Sequence, residues 1–68
     1  MTLQNLLTNS KESLQTVANK AEVGKDILYQ IRNGVKPWHS LSVWNYMAIC
    51  KALKVKPTTQ LRKDMNNV

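Results

Sequence analysis

Apolar residues recur along this chain at helical spacing, interrupted by short polar runs. Leu14, Val17, Ala18 and Ala21 stand at i, i+3, i+4 and i+7, which is one face of a helix. Ile27, Leu28 and Ile31 form a second apolar face. Only Glu22, Val23 and Gly24 separate the two patterns, which is room for a turn and nothing longer. Asn33-Gly34 stops the second helix, since both residues tolerate the left-handed backbone found at helix ends. Two short helices joined by about three or four residues describe a helix-turn-helix.

Three further helices are expected around this pair. Thr2 to Asn9 reads as a first helix, with Thr2 as N-cap and Leu3, Leu6 and Leu7 as its buried stripe. Thr8-Asn9-Ser10 end it and Lys11-Glu12 form a solvated link. Ser13 is placed to cap the second helix by accepting from the amide near Thr16. Asn33 to Ser40 is a loop, stiffened by Pro37. Leu41 to Leu53 is the fourth helix, capped by Ser40 or Ser42. Its apolar face holds Val43, Met47, Cys50 and Leu53, widened by Trp44, Tyr46 and Ile49. Cys50 is read as a buried, inert thiol. Pro57 opens a short fifth helix, Thr58 to about Met65, with Leu61 and Met65 as an i, i+4 apolar pair. Asn66, Asn67 and Val68 are expected to fray.

Sixty-eight residues imply one domain, residues 1–68, with a modest core. One cysteine and one histidine leave no intrachain disulfide and no His or Cys cluster for a metal. No run of 18 apolar residues and no charged-then-apolar leader occurs, so neither a membrane span nor a signal peptide is expected. The reading is a cytoplasmic protein, and the initial Met1 favours a natural N-terminus. The net charge changes the picture most. Ten Lys and Arg against four Asp and Glu give +6, a strong field that favours a polyanionic partner. His39 and Cys50 are the only plausible catalytic groups, and no spacing brings a base to a nucleophile, so no enzyme and no cofactor are expected.

Val17-Ala18-x-Lys20, Val23, Gly24, Leu28, Ile31 and Asn33-Gly34 together resemble the Cro/C1-type, lambda-repressor-like helix-turn-helix family. The run Cys50-Lys51-Ala52-Leu53-Lys54-Val55 resembles that family's closing A-K-A-L-G-V run. The resemblance covers residues 13 to 65. It implies an all-α, compact five-helix domain whose second and third helices form the helix-turn-helix. Ala18 supplies the small side chain that two steeply crossing helices need. Relatives often carry Gly where this chain has Glu22, a residue that costs about 1 kcal/mol if its backbone is left-handed. Arg32 stands where a Glu is common and often pairs with an Arg of the first helix, an Arg this chain lacks.

The resemblance implies a sequence-specific regulator of double-stranded DNA, similar to the small Cro-like repressors of bacteriophages and mobile elements. Two copies, a weak homodimer through Val55, Leu61 and Met65, would bind a near-palindrome. Each third helix would enter one major groove, ~34 Å from the other. Lys25, Asp26, Tyr29 and Gln30 are the base-facing candidates. Gln30 can pair with adenine and Lys25 with guanine. Tyr29 suits a phosphate or a thymine methyl. Asp26 suits either cytosine N4 or the positive end of the helix. Ser13, Gln15, Thr16, Asn33, Lys36 and His39 are the candidates for the phosphate backbone. Trp38 either folds back over the core or meets the sugar–phosphate edge. No small-molecule ligand is implied. The alternative is a protein-interaction module on the same fold, such as an antitoxin or antirepressor.

Overall fold

The computed structural model describes residues 2–66, and the expected fraying of Asn67 and Val68 lies outside them. Among these residues the fold is all-α: α1 (Leu3–Thr8), α2 (Leu14–Ala21), α3 (Lys25–Arg32), a 3₁₀ turn (Trp38–Ser40), α4 (Val43–Ala52) and α5 (Pro57–Met65). Hydroxyl caps start three of the helices. Thr2 accepts from the Asn5 amide, Ser13 from that of Thr16 and Ser42 from that of Asn45. Pro57 occupies the first turn of α5, where its missing N–H costs no helical bond.

Three helices end in the same way. Glu22, Gly34 and Lys54 adopt left-handed backbone, at φ of 56°, 74° and 62°. After each, the next residue donates five back: Val23 to Ala18 at 3.1 Å, Val35 to Gln30 at 2.9 Å and Val55 to Cys50 at 3.0 Å. This is the Schellman closure, which satisfies carbonyls the helix leaves open. Each closure sets a valine after the left-handed residue, and Val23 and Val55 pack against the core. Of Asn33-Gly34, only Gly34 is left-handed; Asn33 has φ of −86°.

The core joins Leu3 and Leu7 of α1, four residues of α2, Leu28 and Ile31 of α3, and Tyr46, Ile49 and Cys50 of α4. α2 packs most extensively on α4, and α1 on α3. Ala18 of α2 lies in this core, 1 % exposed, and α2 also packs on α3. Ile27 is only half-buried, so Leu28 and Ile31 carry the inward face of α3. Trp38 folds back against the core, its ring 5.8 Å from that of Tyr46.

One expected face is corrected, on α4, and on α5 the buried side is one the apolar pattern did not show. Helix α4 starts at Val43 rather than Leu41, because the 3₁₀ turn runs to Ser40 and Ser42 supplies the cap; the Ser40 hydroxyl bonds the Pro37 carbonyl instead. Its rotation turns Tyr46, Ile49 and Cys50 inward and leaves Val43 71 % and Trp44 80 % exposed. On α5 the apolar pair Leu61 and Met65 faces out, and Gln60 and Asp64 are buried. The reason is hydrogen bonding. The Asp64 carboxylate accepts from the Leu3 amide at 2.7 Å, from the Tyr46 hydroxyl, and from Gln60 Nε2 at 3.4 Å. A buried carboxylate is tolerable when its lone pairs are filled this way.

Candidate nucleic-acid interface

Helix α3 is held from behind and free in front. Stepping about 100° per residue, Asp26 and Asn33 lie opposite the Leu28–Ile31 face, Tyr29 and Gln30 stand on either side of them, and Lys25 lies at the edge of the core face. Lys25, Asp26, Tyr29 and Asn33 are exposed and Gln30 is half-buried. The Schellman closure of α2 sets the entry: Glu22 reverses the chain and Gly24 stands in extended backbone as the N-cap of α3. Asp26 lies in the first turn of α3, beside open backbone amides.

The exit of α3 is fixed by contacts the sequence pattern did not disclose. The Arg32 guanidinium lies over the Tyr29 ring, 4.7 Å from its centroid, and its Nε donates to Asn33 Oδ1 at 3.2 Å. Tyr29, Arg32 and Asn33 therefore form one polar cluster. The i, i+3 spacing of an aromatic and an arginine was the available signal. Gln4 of α1 donates to the Arg32 carbonyl at 3.1 Å, which ties the first helix to the end of the third.

The candidates for phosphate contact fall in two groups. At the start of α2, Ser13 and Thr16 share a hydroxyl contact at 3.0 Å, and Gln15 donates to Asn19 at 3.0 Å. All three are exposed, with Ser13 also engaged as the cap. After α3, Lys36 and His39 line one pocket of about 330 Å³ together with Gly34 and Gln4. The His39 ring stands edge-on to Trp38, with centroids 5.4 Å apart.

Charge is distributed unevenly. In residues 1–31, Lys11, Lys20 and Lys25 are balanced by Glu12, Glu22 and Asp26; the remainder carries seven Lys and Arg against Asp64 alone. Asp64 is buried, and Glu12 is paired with Lys20 at 2.8 Å. The net positive charge therefore belongs to the segment that begins at the exit of α3, not to its N-terminal half. Cys50 is fully buried, and burial, reinforced by the nearby Asp64 carboxylate, pushes its thiol up to about 11. No group of three or more His, Cys, Asp or Glu able to hold a metal occurs among the described residues. Nor is any helix among them long and apolar enough to cross a membrane. Of the expected interface residues, Leu61 and Met65 are exposed and Val55 is half-buried.

No family model, curated protein or solved structure matches the chain.

Proposed function

We infer that this protein is a sequence-specific DNA-binding regulator in which α2 and α3 act as a helix-turn-helix of the lambda-repressor-like kind. One observation carries the reading. Helix α3 presents an exposed polar face of Lys25, Asp26 and Tyr29, flanked by Gln30, while Leu28 and Ile31 anchor its opposite face in the core. A rigid helix with hydrogen-bonding side chains on its free side suits the major groove, which offers a distinct donor and acceptor pattern for each base pair.

In this proposal Gln30 and Lys25 read base edges and Tyr29 is held in place by Arg32. Ser13, Gln15, Thr16, Asn33, Lys36 and His39 meet phosphates. Most of the affinity comes from charge, so binding falls steeply with salt. Two copies on a near-palindrome, paired through Val55, Leu61 and Met65, block transcription by occupying the operator. The same reading places the chain in the cytoplasm of a bacterium or phage-infected cell.

Selection of bound duplexes from a random DNA library at moderate salt tests it. Enrichment of an inverted repeat, with half-sites about one helical turn apart, is the expected result. Absence of any binding overturns the proposal. Salt-sensitive binding without enrichment overturns the base-reading role of α3 while leaving a polyanion-binding domain.

A further inference from the structure

At the exit of α3 the side chains of Tyr29, Arg32 and Asn33 hold one another. Arg32 is the last residue of the helix and Tyr29 stands one helical turn before it. An arginine Nε–H can only donate, so the Asn33 atom it meets at 3.2 Å is Oδ1, and the amide Nδ2 is turned away from it. The guanidinium plane lies over the Tyr29 ring, 4.7 Å from its centroid. Stacked on one face and tied at Nε, the fork is already oriented, so less freedom is lost when it binds. The polar groups this cluster still offers are donors: the two Nη groups of Arg32, Nδ2 of Asn33 and the hydroxyl of Tyr29. None of them has a hydrogen-bond partner among the described residues. No carboxylate among those residues pairs with Arg32 either; Glu12 is taken by Lys20, and Asp64 by Leu3 and Tyr46.

A cluster of donors around one full positive charge takes an anion with several acceptor oxygens, and the planar fork matches a phosphate. The end of a helix ordinarily resists an anion, because its open carbonyls are partly negative. Here those carbonyls are filled. Tyr29 accepts from the Asn33 amide, Ile31 from that of Gly34, Gln30 from those of Val35 and Lys36, and Arg32 from Gln4 Nε2. Base edges suit the cluster less well. The major groove mixes donors and methyl groups with its acceptors, and a helix-turn-helix reads them from the first turns of its second helix. Arg32 stands at the other end, half-buried and beside the core face. On that flank a helix lying in the groove meets the wall of the groove, which is sugar and phosphate, and not its floor.

We propose that Tyr29, Arg32 and Asn33 form a clamp for one backbone phosphate of DNA at the exit of α3, Arg32 supplying the charge while Tyr29 and Asn33 fix its fork. This rests on the DNA-binding reading and adds to it: Arg32 sets affinity, and Tyr29 serves the phosphate through Arg32 and not a base edge.

The test uses the full chain and the duplex that selection yields, with single methylphosphonates placed in turn along one half-site, each removing one backbone charge. Several positions are expected to weaken the native chain. At one of them a loss of about tenfold should shrink to less than about twofold in Arg32→Ala, the other losses staying as they were, because the contact is already gone. This comparison is made within each variant, so a general loss of folded protein cannot imitate it. Arg32→Ala should also weaken every duplex by about tenfold, lower the salt slope by about one and leave the selected sequence unchanged. Arg32→Lys keeps the charge without the planar fork and should recover only part of the loss. Tyr29→Leu removes the stacking platform and should weaken binding by about threefold, at the same phosphate alone. Identical methylphosphonate profiles for the native chain and Arg32→Ala overturn the proposal. A changed base preference in Arg32→Ala overturns it as well, because Arg32 would then meet a base edge. If the native chain selects an operator and Arg32→Ala binds it within about twofold, the clamp fails and the DNA-binding reading stands. If the native chain binds no duplex, that reading fails and the clamp with it.

Discussion

Helices α3 and α5 are nearly equal in length and both carry polar and apolar residues at helical spacing, yet they are seated in opposite senses. Helix α3 buries Leu28 and Ile31 and shows its polar side chains to water. Helix α5 buries Gln60 and Asp64 and shows Leu61 and Met65. Apolar burial decides the first case. In the second, the Leu3 amide of α1 and the Tyr46 hydroxyl of α4 converge on one carboxylate, and the helix turns to meet them. The contrast teaches that an amphipathic pattern predicts orientation only where no buried polar partner competes for the same face.

The largest expected effect comes from breaking the α5 side of this contrast. Asp64→Ala leaves the Leu3 amide and the Tyr46 hydroxyl buried without an acceptor, and should lower stability by about 3 kcal/mol. Urea unfolding followed by circular dichroism measures it. Asp64→Asn keeps an acceptor for the Leu3 amide and should cost less. If Asp64→Ala costs no more than a surface substitution, hydrogen bonding is not what seats α5.

The same buried cluster sets a pH dependence. Burial, together with Asp64, raises both the Cys50 thiol, from 9.0 to about 11, and the Tyr46 hydroxyl. The folded chain therefore holds protons that the unfolded chain releases. This stabilisation is complete below pH 9.0 and is lost as the pH climbs through about 11. Urea midpoints should fall between about pH 8 and about pH 10, with a shallower fall in Cys50→Ala. Equal slopes for both chains would remove Cys50 from the account.

If α3 reads DNA as proposed, the effects on that side appear in binding, not in folding. Gln30→Ala should cost about 1–3 kcal/mol on the selected operator and relax one base preference. Lys36→Ala should weaken all sequences alike and reduce the salt slope by about one. Neither should shift the unfolding midpoint by more than about 0.5 kcal/mol, as expected for changes outside the core. Equal losses on random DNA for the two variants would end the base-reading role of Gln30.

The hydroxyl caps, the α2–α3 turn, the core faces of α1 and α2 and the inward Cys50 were legible because each rests on local chemistry or on apolar spacing alone. The outward face of α3 followed as the complement of Leu28 and Ile31. What was not legible depends on residues distant in sequence. Asp64 is joined to Leu3 across 61 positions and to Tyr46 across 18. With that carboxylate unread, nothing in the pattern marks Gln60 and Asp64 as the buried side of α5, although Leu61 and Met65 already read as a surface pair for dimer contact. The rotation of α4 was hidden for a related reason. A helix with Val43, Trp44, Tyr46, Met47, Ile49 and Cys50 is apolar almost all round, so periodicity cannot choose its inner side. The Tyr29–Arg32 stack was readable in principle from its spacing but competes with solvent for the arginine.

The smallest expected effects lie in the three Schellman closures, which repeat one geometry with three different residues. Gly34 meets the left-handed backbone without strain, whereas Glu22 and Lys54 hold a Cβ in it. Glu22→Gly and Lys54→Gly should each stabilise by about 0.5–1 kcal/mol, the relief of strain being partly offset by the greater freedom of glycine in the unfolded chain. Gly34→Ala should cost about 1 kcal/mol, the penalty for holding a Cβ in left-handed backbone. A Cβ at Gly34 would lie 3.4 Å from Gln4 Nε2, an ordinary contact, so the cost there is conformational rather than steric. The three variants together isolate the backbone term, because the hydrogen bonds of each closure come from main chain alone. Should Glu22→Gly also weaken operator binding while Lys54→Gly does not, the left-handed residue between α2 and α3 fixes the angle at which α3 is presented. Equal binding by both would mean that the shared core of α2 and α3 holds that angle without help from the turn.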